Sequence, residues 1–192
     1  MERNQLLSEM TLQQLWELFP IILSEHKNCW ADWYQEEKQY IKACLHGIDL
    51  RINHIGSTAI GGIWAKPIID ILVEVSKNCC METIKSTLVD HGYICMSQSK
   101  GRVSFNKGYT NNGFAERVFH LHLRNAGDND ELYFRDYLVE HKEIALAYEK
   151  LKLELWKKFE HDRDGYTNAK TEFVWKHTQE AKKFYGSRYG FF

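Results

Sequence analysis

The sequence predicts an α+β domain in which a mixed β-sheet is flanked by N-terminal and C-terminal helices. Apolar residues recur at three- and four-residue steps near both ends of the chain, which is the period of a helix. The middle of the chain instead holds short β-branched runs separated by Gly and Asn turns. With 192 residues, only two prolines and no low-complexity tract, the chain is expected to form one domain, residues 1–192.

Two helices are predicted in the N-terminal segment, within residues 11–45. Pro20 ends or kinks the first helix, because proline lacks the backbone donor that a helix interior requires. The second helix covers residues 32–44, and Gly47 is predicted to follow its end. The apolar pattern that predicts the first helix is formed by Leu12, Leu15, Trp16 and Phe19.

The segment PIIDILVEV, residues 67–75, is predicted to be a strand. A short β-like segment, residues 51–55, and a Gly-Ser-Thr turn precede it, and Ser57 or Thr58 could cap a short helix there. Side chains alternate between the two faces of a strand. One face is therefore wholly apolar, with Ile69, Ile71, Val73 and Val75, whereas the other carries Ile68, Asp70, Leu72 and Glu74.

The remaining elements follow from turn residues and periodicity. A helix is predicted over residues 82–91, closed by Gly92, and strands over residues 93–96, 103–107 and 117–123. Gly108 and residues 111–113 are expected to supply the turns between the last two strands. From Asp130 onward the chain is predicted to be mostly helical, with residues 166–185 as the last helix.

Composition excludes several classes of function. Lys and Arg (25) nearly balance Asp and Glu (26), so no global field attracts nucleic acid or an anionic membrane. No apolar run approaches the roughly 20 residues that span a bilayer, and the N-terminus does not resemble a secretory signal. The five cysteines are odd in number and lack CxxC spacing, which favours a reduced, cytoplasmic compartment.

The strand acids are the first candidates for chemistry, because carboxylates are depleted from strands. Asp70 and Glu74 lie about 13 Å apart at the rise of a strand, too far to hold one ion together. Asp70 is therefore the predicted catalytic and metal-binding acid. Glu74 is expected to reach solvent at the far end of the strand, and an alternative is that this whole sheet face is wet and solvates both acids.

The Gly-Ser-Thr turn and the segment FHLHL are the next candidates. Backbone N–H groups at Gly56, Ser57 and Thr58 could bind phosphate, although the same residues also suit an ordinary tight turn. His120 and His122 share one strand face about 7 Å apart, so they could converge on one ion or act as hydrogen-bonded sheet residues. Among the basic residues, Lys66 and Arg117 are further phosphate candidates by position.

Four stretches of this chain together resemble the bacterial GrpB family over about residues 30–178. They are HIGSTAIGGIWAKPIIDILVEV, FHLHL, FRDYLVEHKEIALAYEKLKLEL and GYTNAKTEFV. The resemblance implies a fold of the polymerase-β-like nucleotidyltransferase superfamily, in which a Gly-Ser turn holds the triphosphate and strand acids bind magnesium. Gly56, Ser57 and Asp70 match that pattern, but Leu72 stands where the superfamily has its second acid. The two strands at residues 68–75 and 117–123 are then expected to be neighbours at the centre of the sheet.

The sequence and the resemblance together favour a metal-dependent nucleotidyltransferase-like protein acting on an unknown acceptor. The predicted cofactor is a divalent ion, magnesium or a transition metal, held by Asp70 with His120 and His122. The predicted partner is a nucleotide or another phosphorylated small molecule. One alternative is a nucleotide- or phosphate-binding protein without transferase activity, and another is a histidine-based metal site that acts on a phosphorylated substrate. A wider set of candidate site residues comprises His54, Glu74, Arg135, Tyr166 and Lys170.

Overall fold

The computed structural model of the protein describes residues 6–190 and contains one five-stranded sheet and seven α-helices within that range. The predicted domain, residues 1–192, extends past these residues at both ends, and its bounds stay a prediction. The strands are β1 (Leu50–Ile55), β2 (Ile69–Val75), β3 (Ile94–Ser99), β4 (Arg102–Thr110) and β5 (Gly113–Asn125). The helices are α1 (Leu12–Leu18), α2 (Cys29–Cys44), α3 (Met81–Asp90), α4 (Asp130–Glu140), α5 (Lys142–Phe159), α6 (Arg163–Asn168) and α7 (Thr171–Tyr185).

The sheet is mixed, as predicted. Its strand order is β1-β2-β5-β4-β3, and β2 pairs with β5 in parallel while every other pair is antiparallel. The parallel pair β2–β5 places Asp70 opposite His120 and Leu72 opposite His122. The α+β architecture and the central position of these two strands are therefore confirmed.

One face of the sheet forms the main hydrophobic core. The apolar side of β2 is fully buried there, as the alternation in its sequence predicts. Trp30 and Ile41 of α2, with Ile84 and Leu88 of α3, pack against this face. Burial of side chains of this size stabilises a fold by about 1.5–3 kcal/mol each, so this layer fixes the orientation of β2.

The opposite face is covered by the C-terminal helices, and it is not the wet surface that one alternative proposed. Leu72 is completely buried beside Ile55 of β1 and Leu132 of α4. Glu74 is also completely buried, so the expectation that it reaches solvent is wrong. Helices α4 to α7 therefore close over this face and leave only a cavity around Asp70.

Three local predictions need correction. The last predicted helix, residues 166–185, is two helices, because the chain turns at Ala169 and Lys170 between α6 and α7. Neither Ser57 nor Thr58 caps a helix, since Gly56 occupies the cap position of the 3-10 helix Ser57–Ala59 without a side-chain hydrogen bond. Gly108 lies inside β4 at a register shift, where a Cβ would lie 2.3 Å from the backbone oxygen of Arg117.

Within the part of the chain that the structure describes, no helix has the length and apolar character needed to cross a lipid bilayer.

Candidate functional site

The Gly-Ser-Thr turn and Asp70 are in direct contact. Gly56 ends β1 with a φ of +70°, a conformation that residues with a side chain rarely adopt. A Cβ on Gly56 would lie 2.3 Å from Oδ2 of Asp70. Both the backbone angle and the close approach therefore require glycine, and the turn and the carboxylate form one surface.

Both predicted histidines face Asp70. The Nδ1 atom of His120 lies 3.3 Å from Oδ1 of Asp70, and the Nε2 atom of His122 lies 3.9 Å from the same oxygen. The three side chains are half-buried, with 29% of the Asp70 side chain exposed. The parallel pairing of β2 with β5 thus brings together the acid and the histidines that the sequence separates by about 50 residues.

The partners of His120 indicate which ring nitrogen carries its proton. The ionised carboxylate of Asp70 can only accept, so the proton of the neutral His120 ring is assigned to Nδ1, which faces Asp70. The Nε2 atom then accepts from the hydroxyl of Tyr109 at 2.8 Å, and that hydroxyl accepts from Arg163 Nη2 at 3.0 Å. Burial lowers the pKa of His120 and favours this neutral ring, although the charge of Asp70 opposes that effect.

The second histidine is oriented in the same way. Arg124 Nη2 donates to Nδ1 of His122 at 3.4 Å, which leaves the Nε2 proton directed towards Asp70. Burial by itself raises the pKa of Asp70, but the neighbouring rings of His120 and His122 outweigh it and hold that pKa below its usual range. Asp70 is therefore an ionised carboxylate that faces two imidazole rings.

This arrangement bears on the predicted metal site. Within residues 6–190, no group of three or more His, Cys, Asp and Glu side chains is arranged to hold a metal ion. With the tautomers assigned from their partners, both histidines present N–H groups to Asp70, whereas a metal ligand presents a lone pair. The ligand set Asp70, His120 and His122 stays a prediction.

A cationic compartment of about 340 Å³ opens beside the turn and Asp70. Its charged lining comprises the cations Lys66, Lys152, Arg163 and Lys170 and the acids Asp70 and Asp164. Burial first, and then the neighbouring cations, lower the pKa of Lys66 to about 7. Burial also lowers the pKa of Lys152 to about 7 and that of Lys170 to about 8. Positive charge is concentrated here without enough carboxylates to balance it.

Within residues 6–190, Tyr166 contributes a buried hydroxyl group without a protein partner to the same compartment. Its side chain is 1% exposed and lines the cationic compartment, and its hydroxyl has no hydrogen-bond partner among the described residues. The ammonium groups of Lys66 and Lys170 lie 5.4 Å and 4.3 Å from the centre of its ring. A buried hydroxyl without a partner costs free energy, which an anionic ligand with acceptor oxygens would recover.

A second compartment, of about 510 Å³, adjoins the first one. The two compartments share Gly56, Asp70, Phe134, Tyr148, Thr167 and Lys170. The second one adds the apolar side chains of Ile55, Val174 and Trp175, and we call it the apolar compartment. Its lining also contains polar and charged side chains: His122, Arg124, Asp130, Glu131, Thr171, Thr178 and Gln179. Trp175 is 65% exposed, which is unusual for so large an aromatic residue.

The side chains of two candidates, His54 and Thr58, brace the turn, and Thr58 also lines the cationic compartment. His54 Nε2 lies 3.0 Å from the hydroxyl of Thr58, which donates to the carbonyl oxygen of Ile68 at 3.2 Å. Burial lowers the pKa of His54 to about 4, so the ring is neutral at pH 7 and donates this bond. It also stacks on Tyr34 with ring centres 4.7 Å apart. The Thr58 hydroxyl is thus committed to the fold, although its backbone remains at the turn.

Three predicted residues lie away from the cavity. Arg117 projects from the other face of β5, where it pairs with Glu36 and lies over Trp33, because its side chain alternates with that of His120. Arg135 donates to the carbonyl oxygen of His54 at 2.7 Å and supports β1 from behind. Glu74 accepts hydrogen bonds from Arg51, Gly127 and Asn129 in a buried ion pair.

Other cavity residues escaped the sequence analysis: Tyr109, Tyr148, Lys152, Arg163 and Trp175. A signal existed for Lys152, which follows Tyr148 by four residues and so lies on the buried side of α5. Arg163 and Trp175 carry no such signal, because a basic residue after a helix and an exposed tryptophan are both ordinary features of a sequence.

Comparison with known proteins places the fold. The family model described as GrpB protein matches residues 20–180. The chain belongs to the GrpB family. This GrpB-family chain is 36% identical to the glutamate-rich protein GrpB of Alkalihalophilus pseudofirmus over 160 residues, which cover 80% of this chain and 91% of that protein. It is 32% identical to YqkA of Bacillus subtilis over 183 residues, 90% of this chain, but it spans only 51% of YqkA.

Solved structures agree with this assignment. The crystal structure of GrpB from Enterococcus faecalis superposes with a TM-score of 0.74 and 32% identity, covering 85% of this GrpB-family chain and 99% of that one. The Cid1 poly(U) polymerase with bound MgGTP superposes with a TM-score of 0.50 and 13% identity, covering 77% of this chain and 47% of that one. At such low identity the second match shows a nucleotidyltransferase-like fold and no more.

Proposed function

We propose that this protein binds a nucleoside triphosphate, with the phosphates in the cationic compartment, and transfers its nucleotidyl group to a small acceptor. The observation that carries the proposal is the group of three lysines and Arg163 facing the Gly56 turn. The ion pairs of lysines elsewhere in the described chain involve Lys85, Lys107 and Lys182. Lys66 and Lys170 differ from lysines in such pairs in that they are partly buried beside a compartment whose acids are Asp70 and Asp164, so their charge is available to a polyanion, while Lys152 also donates to the carbonyl oxygen of Trp64.

Each lining group has a defined task in this proposal. Lys66 and Lys170 neutralise the phosphates, while Arg163 holds Tyr109 and completes the positive wall. Gly56 lets the phosphates approach the backbone next to Asp70, which no other residue would allow. Positive groups fixed before the substrate arrives stabilise charge that develops on a transferred phosphoryl group.

A divalent ion fits the site only in a restricted way. Asp70 supplies a single carboxylate, and magnesium is commonly held by one or two carboxylates together with substrate phosphates and water. Such an ion would neutralise phosphate charge and lower the barrier to transfer. The Cid1 structure with MgGTP has the same overall fold, which supports a nucleotide that arrives with magnesium.

The second candidate function is nucleotide binding without transfer. Leu72 favours it, because this fully buried leucine occupies the strand position at which the superfamily resemblance expects a second metal-binding acid. Glu74 cannot replace that acid, since Arg51 and Asn129 hold it inside the fold. The two functions share the binding step and differ in the reaction.

Calorimetry with each nucleoside triphosphate, with and without magnesium, tests the shared step. The expected result is binding by the wild type and weaker binding by Lys66→Met. Binding that is equal in both proteins would contradict the proposal. The histidine-metal alternative gains if a transition metal binds without nucleotide and His122→Ala abolishes that binding.

Transfer is tested separately with α-labelled nucleotides and a pool of small metabolites. If the protein is a transferase, the wild type should produce a labelled organic product together with pyrophosphate, and Asp70→Asn should produce neither. Tight binding without labelled product or pyrophosphate would leave the binding function as the better account.

A further inference from the structure

The two compartments are neighbours that share six lining residues but differ in charge. The cationic compartment and the apolar compartment meet at Gly56 and Asp70. Tyr148 and Lys170 also line both compartments. A ligand whose phosphates lie among the lysines can therefore extend past Asp70 into the apolar compartment. Its organic part would leave the phosphate region along this route.

Charged side chains are distributed differently between the two compartments. Lys66, Lys152 and Arg163 line only the cationic compartment of the two. Asp130 and Glu131, at the start of α4, line only the apolar one, together with Arg124. Positive charge is therefore in excess at the lysine end and is balanced by carboxylates at the other end, so the phosphates favour the cationic compartment.

The walls of the apolar compartment suit a flat ring. Trp175 offers an exposed aromatic face, and Phe134 and Tyr148 lie in the same lining. Gln179 and Thr171 add an amide and a hydroxyl, which can donate and accept hydrogen bonds at the edge of a heteroaromatic ring. The volume of about 510 Å³ lies in the range typical of small-molecule sites.

A second exposed aromatic on the same helix shows what is special about Trp175. Phe184 of α7 is 64% exposed, nearly as much as Trp175, but it does not line the cavity. It contacts the rings of Tyr137, His141 and Tyr185. Phe184 therefore provides a matched control for the removal of an exposed aromatic from this helix.

We propose that the apolar compartment binds the base of a nucleotide by stacking on Trp175, which makes the substrate a nucleoside polyphosphate and not an inorganic polyphosphate or a sugar phosphate. This inference rests on the proposed binding of phosphates in the cationic compartment. Stacking of a base on an aromatic side chain is sequence-tolerant, and Gln179 supplies the discrimination between bases.

Calorimetry with ATP, GTP, CTP, UTP and inorganic tripolyphosphate tests the inference in four proteins: wild type, Trp175→Ala, Trp175→Phe and Phe184→Ala. In the wild type, the best nucleotide should bind at least about tenfold more tightly than tripolyphosphate. Trp175→Ala should lose that advantage and leave tripolyphosphate affinity unchanged. Trp175→Phe should retain most of the advantage, and Phe184→Ala should retain all of it.

Lys66→Met separates this inference from the proposed function. Loss of affinity for both tripolyphosphate and nucleotides in Lys66→Met supports the phosphate compartment that the inference requires. If tripolyphosphate binds the wild type as tightly as every nucleotide, or if Trp175→Ala weakens both ligands equally, the base site is wrong and the phosphate site stands. If neither ligand binds the wild type, both proposals are overturned.

Discussion

Asp70 and Glu74 lie on the same strand and the same face, yet their environments differ completely. Their neighbours on the flanking strands explain the difference. Glu74 lies between Arg51 of β1 and Arg124 of β5, and it forms a 2.9 Å ion pair with Arg51. Asp70 lies between Ile55 and His120. One acid is thus paired with an arginine, whereas the other faces two histidine rings and keeps its charge beside a cavity.

Burial alone therefore does not identify a functional acid. Glu74 is the more deeply buried of the two, and the fold satisfies it with Arg51, Gly127 and Asn129. Asp70 is partly exposed and borders a compartment with excess positive charge. Arg51, Gly127 and Asn129 all donate to one carboxylate oxygen of Glu74, which ties it into the fold, whereas a carboxylate with space and cations beside it is available to a ligand.

The largest effect is expected when the leucine between the two acids is made acidic. Leu72→Asp removes a buried side chain beside Ile55 and Leu132 and leaves a carboxylate without a partner. The free energy of unfolding should fall by about 3–5 kcal/mol, which urea denaturation measures.

Leu72→Ala is the control for the cavity alone. At pH 7 the aspartate variant should have a lower free energy of unfolding than the alanine variant. This difference should become smaller at pH 5, because burial raises the pKa of the introduced carboxyl group, which is then protonated and neutral. Equal stability of both variants at pH 7 would mean that this position is wet and could accept a metal-binding acid.

The next effect separates the two natural acids by isosteric changes. Glu74→Gln keeps the shape but removes the charge opposite Arg51, so stability should fall by about 1–3 kcal/mol while nucleotide affinity stays the same. Asp70→Asn should show the reverse: a smaller loss of stability and a clear loss of affinity for the magnesium nucleotide. Thermal denaturation and calorimetry measure both quantities. If Glu74→Gln weakens nucleotide binding more than Asp70→Asn does, Asp70 is not the ligand-binding acid of the two.

Removal of a cavity lysine should lower affinity without a loss of stability. Lys66→Met and Lys170→Met each remove one cation that faces the proposed phosphates, and nucleotide affinity should fall about tenfold in each. Stability without ligand should stay the same or rise, because a depressed pKa shows that the charged amine is costly there. Lys85→Met, at the surface pair with Glu82, makes the same substitution away from the cavity and should leave affinity unchanged.

The smallest effect is a pH dependence that ordinary lysines would not give. The pKa values of Lys66 and Lys152 are about 7 and that of Lys170 is about 8, so all three lose their protons at lower pH than an unperturbed lysine, whose pKa is near 10. Nucleotide affinity should therefore fall severalfold between pH 7.5 and roughly 9.5 at constant ionic strength.

Stability without ligand should change in the opposite direction over the same pH range. The unfolded chain keeps lysine protons up to about pH 10 and the folded chain releases them earlier, so unfolding takes up protons and the free energy of unfolding rises with pH. Lys66→Met should flatten both dependences. Affinity that is constant to pH 9.5 would show that the lysines keep their protons and that the cavity is less cationic in character than proposed.

Much of the framework could be predicted from the sequence. The alternation in β2 correctly places Ile69 and Val73 in the core and Asp70 on the other face, because side-chain direction in a strand is a local property. The turn at Gly56 is equally local. The spacing of His120 and His122 predicts that both face the same side of β5, and they do.

The composition of the cavity was decided by the tertiary structure. Lys152 and Arg163, from α5 and α6, line the same compartment as Asp70, at a distance along the chain over which no period extends. Arg117 is a phosphate candidate by position in the sequence, but its place in the alternation of β5 directs it to the other face. Glu74 is expected from the sequence to reach solvent, but β1 places Arg51 beside it inside the fold. Sequence periodicity therefore determined the face of each side chain on its own element, and only the packing of elements determined which charges meet, because that depends on contacts between residues far apart in the chain.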